Sequence, residues 1–364
     1  MIFLGQRQGG AEIPRRDSWV GALALALSLS ILPSVVAALV AGWAWRDLHR
    51  PYGPTAEVVI DIPAGLDANG ILGLLSRSGL VPRAGLARLY LIYVLEDPPL
   101  LAGEYLFDGP LSTPEVLAKI ARGAVTTHPV TIIEGLTLEE TAEAISAAGF
   151  GRRKRLVELM SDPSAIRDLD PEATDLEGYL FPDTYAFARG TSEGQIVSTL
   201  VRTFRRQLEG LGEGRSRQAA SVRELTTLAS IVEKEARLDG ERPLIAGVYA
   251  HRLSKGIALY ADPTIIFALK KAGTWDGNLR RPDLALASPY NTYVHRGLPP
   301  GPICSPGLKS LVAAAAPQDT THLYFVSRND GSHIFADTLA EHNRNVERWQ
   351  KQYWRERWAR ERGD

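Results

Sequence analysis

Residues 225–238 read Leu-Thr-Thr-Leu-Ala-Ser-Ile-Val-Glu-Lys-Glu-Ala-Arg-Leu, and the reading of this stretch decides the fold. Leu225, Leu228, Ala229, Val232 and Ala236 recur at helical spacing, with Ile231 and Leu238 at the edge of the same face, which predicts a core-facing helix. On that wheel Glu235 projects between Ile231 and Leu228, near the middle of the apolar arc, while Glu233 falls toward its margin and Lys234 points away. A carboxyl held against apolar walls loses hydration of its charged form, so its pKa rises and it can keep a proton near neutral pH, as a general acid must. Helix geometry alone serves equally well a buried glutamate neutralised by an Arg or Lys from elsewhere. The rest of the chain has to choose between them.

The 364 residues leave room for roughly two or three domains. Their 45% hydrophobic content is ample for packed cores. A formal net charge of −1 gives no general reason to expect nucleic-acid binding. The single cysteine, Cys304, excludes an intrachain disulfide framework and any multi-cysteine zinc site. Histidines at 49, 128, 251, 295, 322, 333 and 342 show no HExxH or comparable spacing, so no metal is expected. There is no GxSxG elbow for a serine nucleophile, and no GxxxxGK[ST] or GxGxxG loop at a strand-to-helix junction for a nucleotide cofactor.

Residues 19–45 contain no charge and exceed the approximately 20 residues a helix needs to span a bilayer. Trp19 at one end, Trp43 and Trp45 at the other, and Arg15, Arg16, Arg46 and Arg50 outside them suit two membrane interfaces. The run is long for the apolar part of a cleaved signal peptide, so an uncleaved anchor is expected. The arginine distribution slightly favours residues 1–18 in the cytoplasm, with everything after the span outside it.

Beyond the anchor, 58–62 reads as a strand and about 69–76 as a helix, with an apolar helix near 86–95, a strand at 103–107 and a helix opened by Thr113-Pro114-Glu115. Residues 55–125 thus form a small α+β module. A second strand-turn-helix unit follows: 129–133, then Glu134-Gly135, then Thr137 with Glu140 as a capping box. The two units share a strand, a glycine turn, a helix and a closing Ser-x-x-Gly at 76–79 and 146–149, a weak internal similarity. Arg152-Arg153-Lys154-Arg155 reads as a solvated helix start, and 338–360 as a long charged helix bearing Trp349, Trp354 and Trp358.

Residues 177–185, Glu-Gly-Tyr-Leu-Phe-Pro-Asp-Thr-Tyr, mix aromatics and carboxylates across a Gly and a Pro, which suits a fixed loop. Tyr260-Ala261-Asp262-Pro263-Thr264 and Ser288-Pro289-Tyr290-Asn291-Thr292-Tyr293 have similar content, and 297–307 is stiffened by prolines. Aromatic faces stack on sugar C–H faces while carboxylates and amides bind hydroxyls, so an acid on a helix among such loops is the inventory of a glycan-cleaving site. Glu235 is the expected catalytic residue. Glu177, Tyr179, Asp183, Asp262, Thr264, Tyr290, Asn291 and Tyr293 are the expected substrate contacts.

Segments 177–185, 229–236, Asp262-Pro263-Thr264, 290–293, 297–300, 323–326, 333–338 and His342-Asn343 together resemble, in order and spacing, the endolytic murein transglycosylase family, the YceG-like membrane-anchored lytic transglycosylases. The resemblance implies an α+β protein with an N-terminal transmembrane helix, a LysM-like module at 55–125 and a mixed α/β catalytic domain at 128–355. It implies that the second glutamate of Ile-Val-Glu-Lys-Glu, Glu235, is catalytic. It further implies cleavage of the MurNAc–GlcNAc β-1,4 bond of peptidoglycan strands to leave 1,6-anhydro ends, with no cofactor, on the outer side of the cytoplasmic membrane, near peptidoglycan synthases. Two other readings stand beside it: a hydrolase that uses Asp183, Asp262 or Glu233 as a second carboxylate, and a catalytically silent peptidoglycan-binding scaffold.

Overall fold

The computed structural model describes residues 17–211, 221–355 and 357; the expected cytoplasmic segment lies outside these but for its last two residues, as does Trp358 of the expected C-terminal helix. Helix and strand are mixed throughout, and the chain forms two compact units, Met1–Thr126 and Thr127–Asp364.

The first unit opens with α1 (Asp17–His49), whose part Ile31–His49, mean hydropathy 1.3, is long and apolar enough to cross a membrane. Ile31, Leu32, Leu39, Val40, Trp43 and Trp45 all stand exposed on it, as a lipid-facing surface would. Then come β1 (Val58–Ile62), α2 (Ala68–Arg77), α3 (Ala84–Tyr93), β2 (Gly103–Phe107) and α4 (Thr113–Ala121). β1 and β2 pair antiparallel from Val58↔Phe107 to Ile62↔Gly103. Ile62, Tyr105 and Phe107 point inward at alternate positions against Leu75, Leu91 and Leu117.

The second unit begins with β3 (Thr127–Thr131), α5 (Leu138–Ala147), α6 (Arg153–Met160), β4 (Thr184–Ala188) and α7 (Glu193–Gly210), with β3 and β4 antiparallel from Thr127↔Ala188 to Thr131↔Thr184. This is the order of the first unit over again: strand, two helices, antiparallel strand, helix. The shared detail is chemical as well. Gly65 (φ +82°) and Gly135 (φ +78°) turn out of the strands, Asp67 and Thr137 cap the next helices, and Gly79 (φ +72°) and Gly149 (φ +83°) close them.

Next lie α8 (Val222–Glu235), α9 (Arg242–Ser254), α10 (Asp262–Lys271) and α11 (Leu308–Ala315), then the hairpin β5 (Tyr324–Ser327) and β6 (His333–Ala336), and α12 (Leu339–Val346), which runs on into a π turn over Glu347–Gln352. α8 is the pivot: every residue from Leu225 to Val232 is buried, and α9, α10 and α11 pack around it. Ser230 of α8 satisfies the neighbouring loop. Ser230 Oγ accepts from Ile303 N (3.0 Å), and the Ser230 carbonyl accepts from Cys304 Sγ (3.3 Å). The same loop presses on residues 177–181: Gly178 has φ +85°, and a Cβ there would lie 2.3 Å from Pro302 Cβ, so only glycine fits.

Candidate active site

α8 stops at Glu235 because Ala236 turns extended (φ −76°, ψ 123°). The carboxyl therefore sits at the negative end of the helix, which disfavours its ionised form. Its Oε1 accepts a hydrogen bond from the Tyr249 hydroxyl of α9 at 2.9 Å, and Tyr249 itself is fully enclosed. Burial pushes the Glu235 pKa up to about 7, and the nearby Asp262 charge adds to the rise; the Tyr249 hydrogen bond and the Arg252 guanidinium hold it back. A group poised at that value can give a proton and take one back near neutrality.

Arg252, one turn beyond Tyr249, is buried and spent on backbone: it donates to the carbonyls of Leu323 (2.5 Å) and Leu259 (2.6 Å). Its guanidinium lies over the rings of Tyr324 (5.2 Å) and Tyr260 (5.7 Å). It thus fixes the loop that carries Tyr260 while lending Glu235 a distant positive charge.

Asp262 opens α10, is exposed, and accepts from the Tyr293 hydroxyl at 2.6 Å. Tyr260 beside it is half-exposed, holds a left-handed backbone (φ +51°), and meets the Tyr293 ring edge-on at 5.2 Å. Non-glycine residues in that region are strained, and such strain collects at functional sites. Glu235, Tyr249, Tyr260, Asp262 and Tyr293 form one cluster, with an acid at its base and exposed aromatic and carboxylate groups at its rim.

Glu233 has the other fate open to a buried glutamate. Its Oε1 pairs with Arg242 Nη1 at 3.1 Å, both side chains enclosed, and its Oε2 accepts from Gly307 N at 2.9 Å. With both oxygens committed, it is not free to serve as a second catalytic carboxylate. Asp183 is exposed just before β4 and accepts from Thr184 N at 2.7 Å. Of the three expected partners for a hydrolase, Asp262 is the one whose charge reaches Glu235.

The expected substrate contacts divide. Asp262 and Tyr293 join Glu235. Tyr179 lies in the core with its hydroxyl donating to Asp170 at 2.6 Å. Thr264 and Asn291 are fully buried: Thr264 Oγ1 donates to the Ala261 carbonyl (2.7 Å), and Asn291 Nδ2 to those of Leu284 (3.1 Å) and Leu286 (2.9 Å). These three fix loops and present no side chain to a ligand. Tyr290 packs on Phe267 at 4.9 Å, and Glu177 is buried, accepting from Leu138 N at the start of α5. Tyr249, Arg252 and Tyr260 were not expected as site residues. A Tyr and an Arg three apart on a helix were the available signal.

Two cavities of about 640 and 520 Å³ also lie in this unit, one between the start of α8 and residues 297–300, the other at the start of α5. The stiff 297–300 segment does wall a cavity, as its prolines imply, but Glu235 lines neither. At the Glu235 cluster, Tyr260 and Asp262 are the exposed groups.

A family model described as the YceG-like family matches residues 60–348. The chain belongs to the YceG-like family. A Bacillus subtilis protein named endolytic murein transglycosylase is 31% identical over 308 residues, covering 80% of this chain and 84% of that protein. A Streptococcus pneumoniae protein of the same name is 29% identical over 320 residues, and the match spans 79% of this chain but only 58% of that longer protein. The crystal structure of a yceG-like protein from Listeria monocytogenes superposes with a TM-score of 0.54 at 32% identity, covering 80% of this chain and 99% of that one.

Proposed function

We propose that this YceG-like protein is an endolytic lytic transglycosylase that cuts the β-1,4 bond between N-acetylmuramic acid and N-acetylglucosamine in peptidoglycan strands. The observation that carries the reading is the Glu235 carboxyl at the end of α8, half-buried, hydrogen-bonded by Tyr249 and with its pKa raised to about 7. The names of its relatives supply the substrate.

Protonated Glu235 gives its proton to the glycosidic oxygen as the bond from muramyl C1 to that oxygen breaks. The carboxylate then takes the proton of the muramyl C6 hydroxyl as O6 closes on C1. One bond breaks, one forms, and Glu235 ends protonated again. Because the nucleophile belongs to the same sugar, no water has to be activated and little translational entropy is lost. In this reading Asp262, Tyr293 and Tyr260 hold the sugar, while Tyr179, Thr264 and Asn291 keep the loops in shape. α1 anchors the chain with everything after it outside the cytoplasm, the module at 55–125 acts as a LysM-like glycan grip, and cleavage beside peptidoglycan synthases ends strand elongation.

A muramidase is the rival that one observation favours, since Asp262 stands near Glu235 as a second carboxylate would. Mass spectrometry of products from uncrosslinked glycan separates the two. Full-length protein in detergent is expected to leave 1,6-anhydro-muramyl ends, with Glu235→Gln inactive and folded. Products heavier by one water establish the hydrolase instead, and full activity in Glu235→Gln overturns both.

A further inference from the structure

We propose that the cavity at the start of α5 is a second saccharide subsite, holding an N-acetylated sugar of the same glycan strand some rings away from the bond at Glu235. The proposal rests on the transglycosylase reading above and extends it to how a strand is gripped.

The cavity, about 520 Å³, has the size of ordinary ligand pockets. Its walls are built. Lys270 of α10 pairs with Glu140 at 2.6 Å, and Arg153 of α6 pairs with Glu139 (2.8 Å) and Glu143 (3.1 Å), so three helices are braced around the opening. In the floor, both oxygens of buried Glu177 face the Leu138 N–H at 3.1 and 3.0 Å. Burial pushes that carboxyl up to about 8, so at neutral pH it carries a proton that it can donate. An acetamido carbonyl is a fitting acceptor, and half-buried Trp275 supplies a flat apolar face for a sugar ring.

Charge selects the class of occupant. Carboxyls outnumber cations in the lining even with Glu177 neutral, and the cations are already paired. An anionic stem peptide is repelled by such a lining. A neutral sugar, rich in O–H and N–H donors, meets acceptors.

Position ties the cavity to the reaction. Asp262, beside Glu235, begins α10, and Lys270 and Lys271 end it at the cavity; eight or nine residues of helix span about 12–14 Å. The 288–293 loop follows the same path. Tyr290 packs on Phe267 and lies 5.7 Å under Lys271, whereas Tyr293 holds Asp262. A strand lying along α10 with its cleaved bond at Glu235 therefore reaches the cavity within a short run of sugars.

The test uses the full-length chain in detergent. Trp275→Ala is expected to raise KM for long, peptide-free glycan strands by about fivefold to tenfold, the scale of a lost aromatic stacking contact, with kcat within twofold and Trp275→Phe restoring most of the loss. Calorimetry of N-acetylglucosamine hexamer on the Glu235→Gln protein, which needs no turnover, should show the same weakening on adding Trp275→Ala. An unchanged KM and unchanged hexamer affinity in a Trp275→Ala protein of native thermal stability overturn the subsite. A Trp275→Ala effect seen only with peptide-bearing strands overturns it as well, by assigning the cavity to the stem peptide. Absence of anhydro ends from the wild-type protein would instead sink the transglycosylase reading, while leaving hexamer binding to be judged by itself.

Discussion

At the scale of the residue, the proton on Glu235 bears on stability and, in the proposed mechanism, on activity. Its pKa rises from the ordinary carboxylate range to about 7 on folding, so between these values the folded state binds more protons than the unfolded chain. Stability therefore falls as pH rises through that window and is flat above it. Glu235→Gln removes the liability, and above pH 7 it should stabilise the protein by about 1–2 kcal/mol after allowance for the partial exposure of the side chain, read by urea unfolding at pH 5 and pH 8. Activity has the matching dependence: kcat/KM should fall about tenfold per pH unit above 7 as the acid is lost. Tyr249→Phe deletes a hydrogen bond that favours the carboxylate, so it should move that alkaline limb upward by on the order of one pH unit, without changing which products form. A limb that stays put would show that Tyr249 does not set the proton affinity. The inward aim of Glu235 was legible from the helical wheel, though the wheel alone left open a glutamate neutralised by an Arg or Lys. Tyr249 and Arg252 were not, because a wheel shows which side chains share a face but not which residue of another helix lies opposite. Tyr179, Thr264 and Asn291 misled for a related reason: loop residues with polar groups look like ligand contacts, yet here the enclosed backbone of the loops claims those groups first.

At the scale of the element, α8 holds two glutamates two residues apart with different partners. Glu233 joins Arg242 of α9 and Gly307 before α11, so one carboxylate ties three parts of the core. Arg242→Ala would strand a buried negative charge and should cost about 3–5 kcal/mol in unfolding free energy, whereas Glu235→Gln costs none. Equal losses from the two would mean that Glu235 too is structural. The sequence specified the helix but overran its end. The apolar pattern continues to Leu238, yet Ala236 breaks out and Leu238 is exposed, because no glycine or proline marks the stop. Strand 103–107 and the Thr137–Glu140 capping box were read to the residue, since period-two alternation and cap chemistry are local signals. Of the repeated β-α-α-β-α order only the opening strand, glycine turn and glycine-closed helix were visible; the second strands, 103–107 and 184–188, are matched by pairing partners distant in sequence.

At the scale of the molecule, orientation decides whether the enzyme can meet its polymer. α1 carries exposed apolar residues over Ile31–His49, and a glycan outside the cytoplasm is reached only if the units after it lie on that side. The single cysteine makes this measurable. Cys304 is fully buried among α8 and the 301–307 loop, and burial drives its thiol well above the ordinary range, so it should stay silent toward a membrane-impermeant maleimide. Lys255, at the end of α9, is exposed and carries no ion pair among those of the described residues, so Lys255→Cys gives a reporter on the surface of the second unit without touching the Glu235 cluster. In intact cells the Lys255→Cys protein should label as fully as after lysis, and the wild-type protein should not label in either state. Labelling of Lys255→Cys that appears only on lysis would put the second unit in the cytoplasm, where no strand is within reach of Glu235.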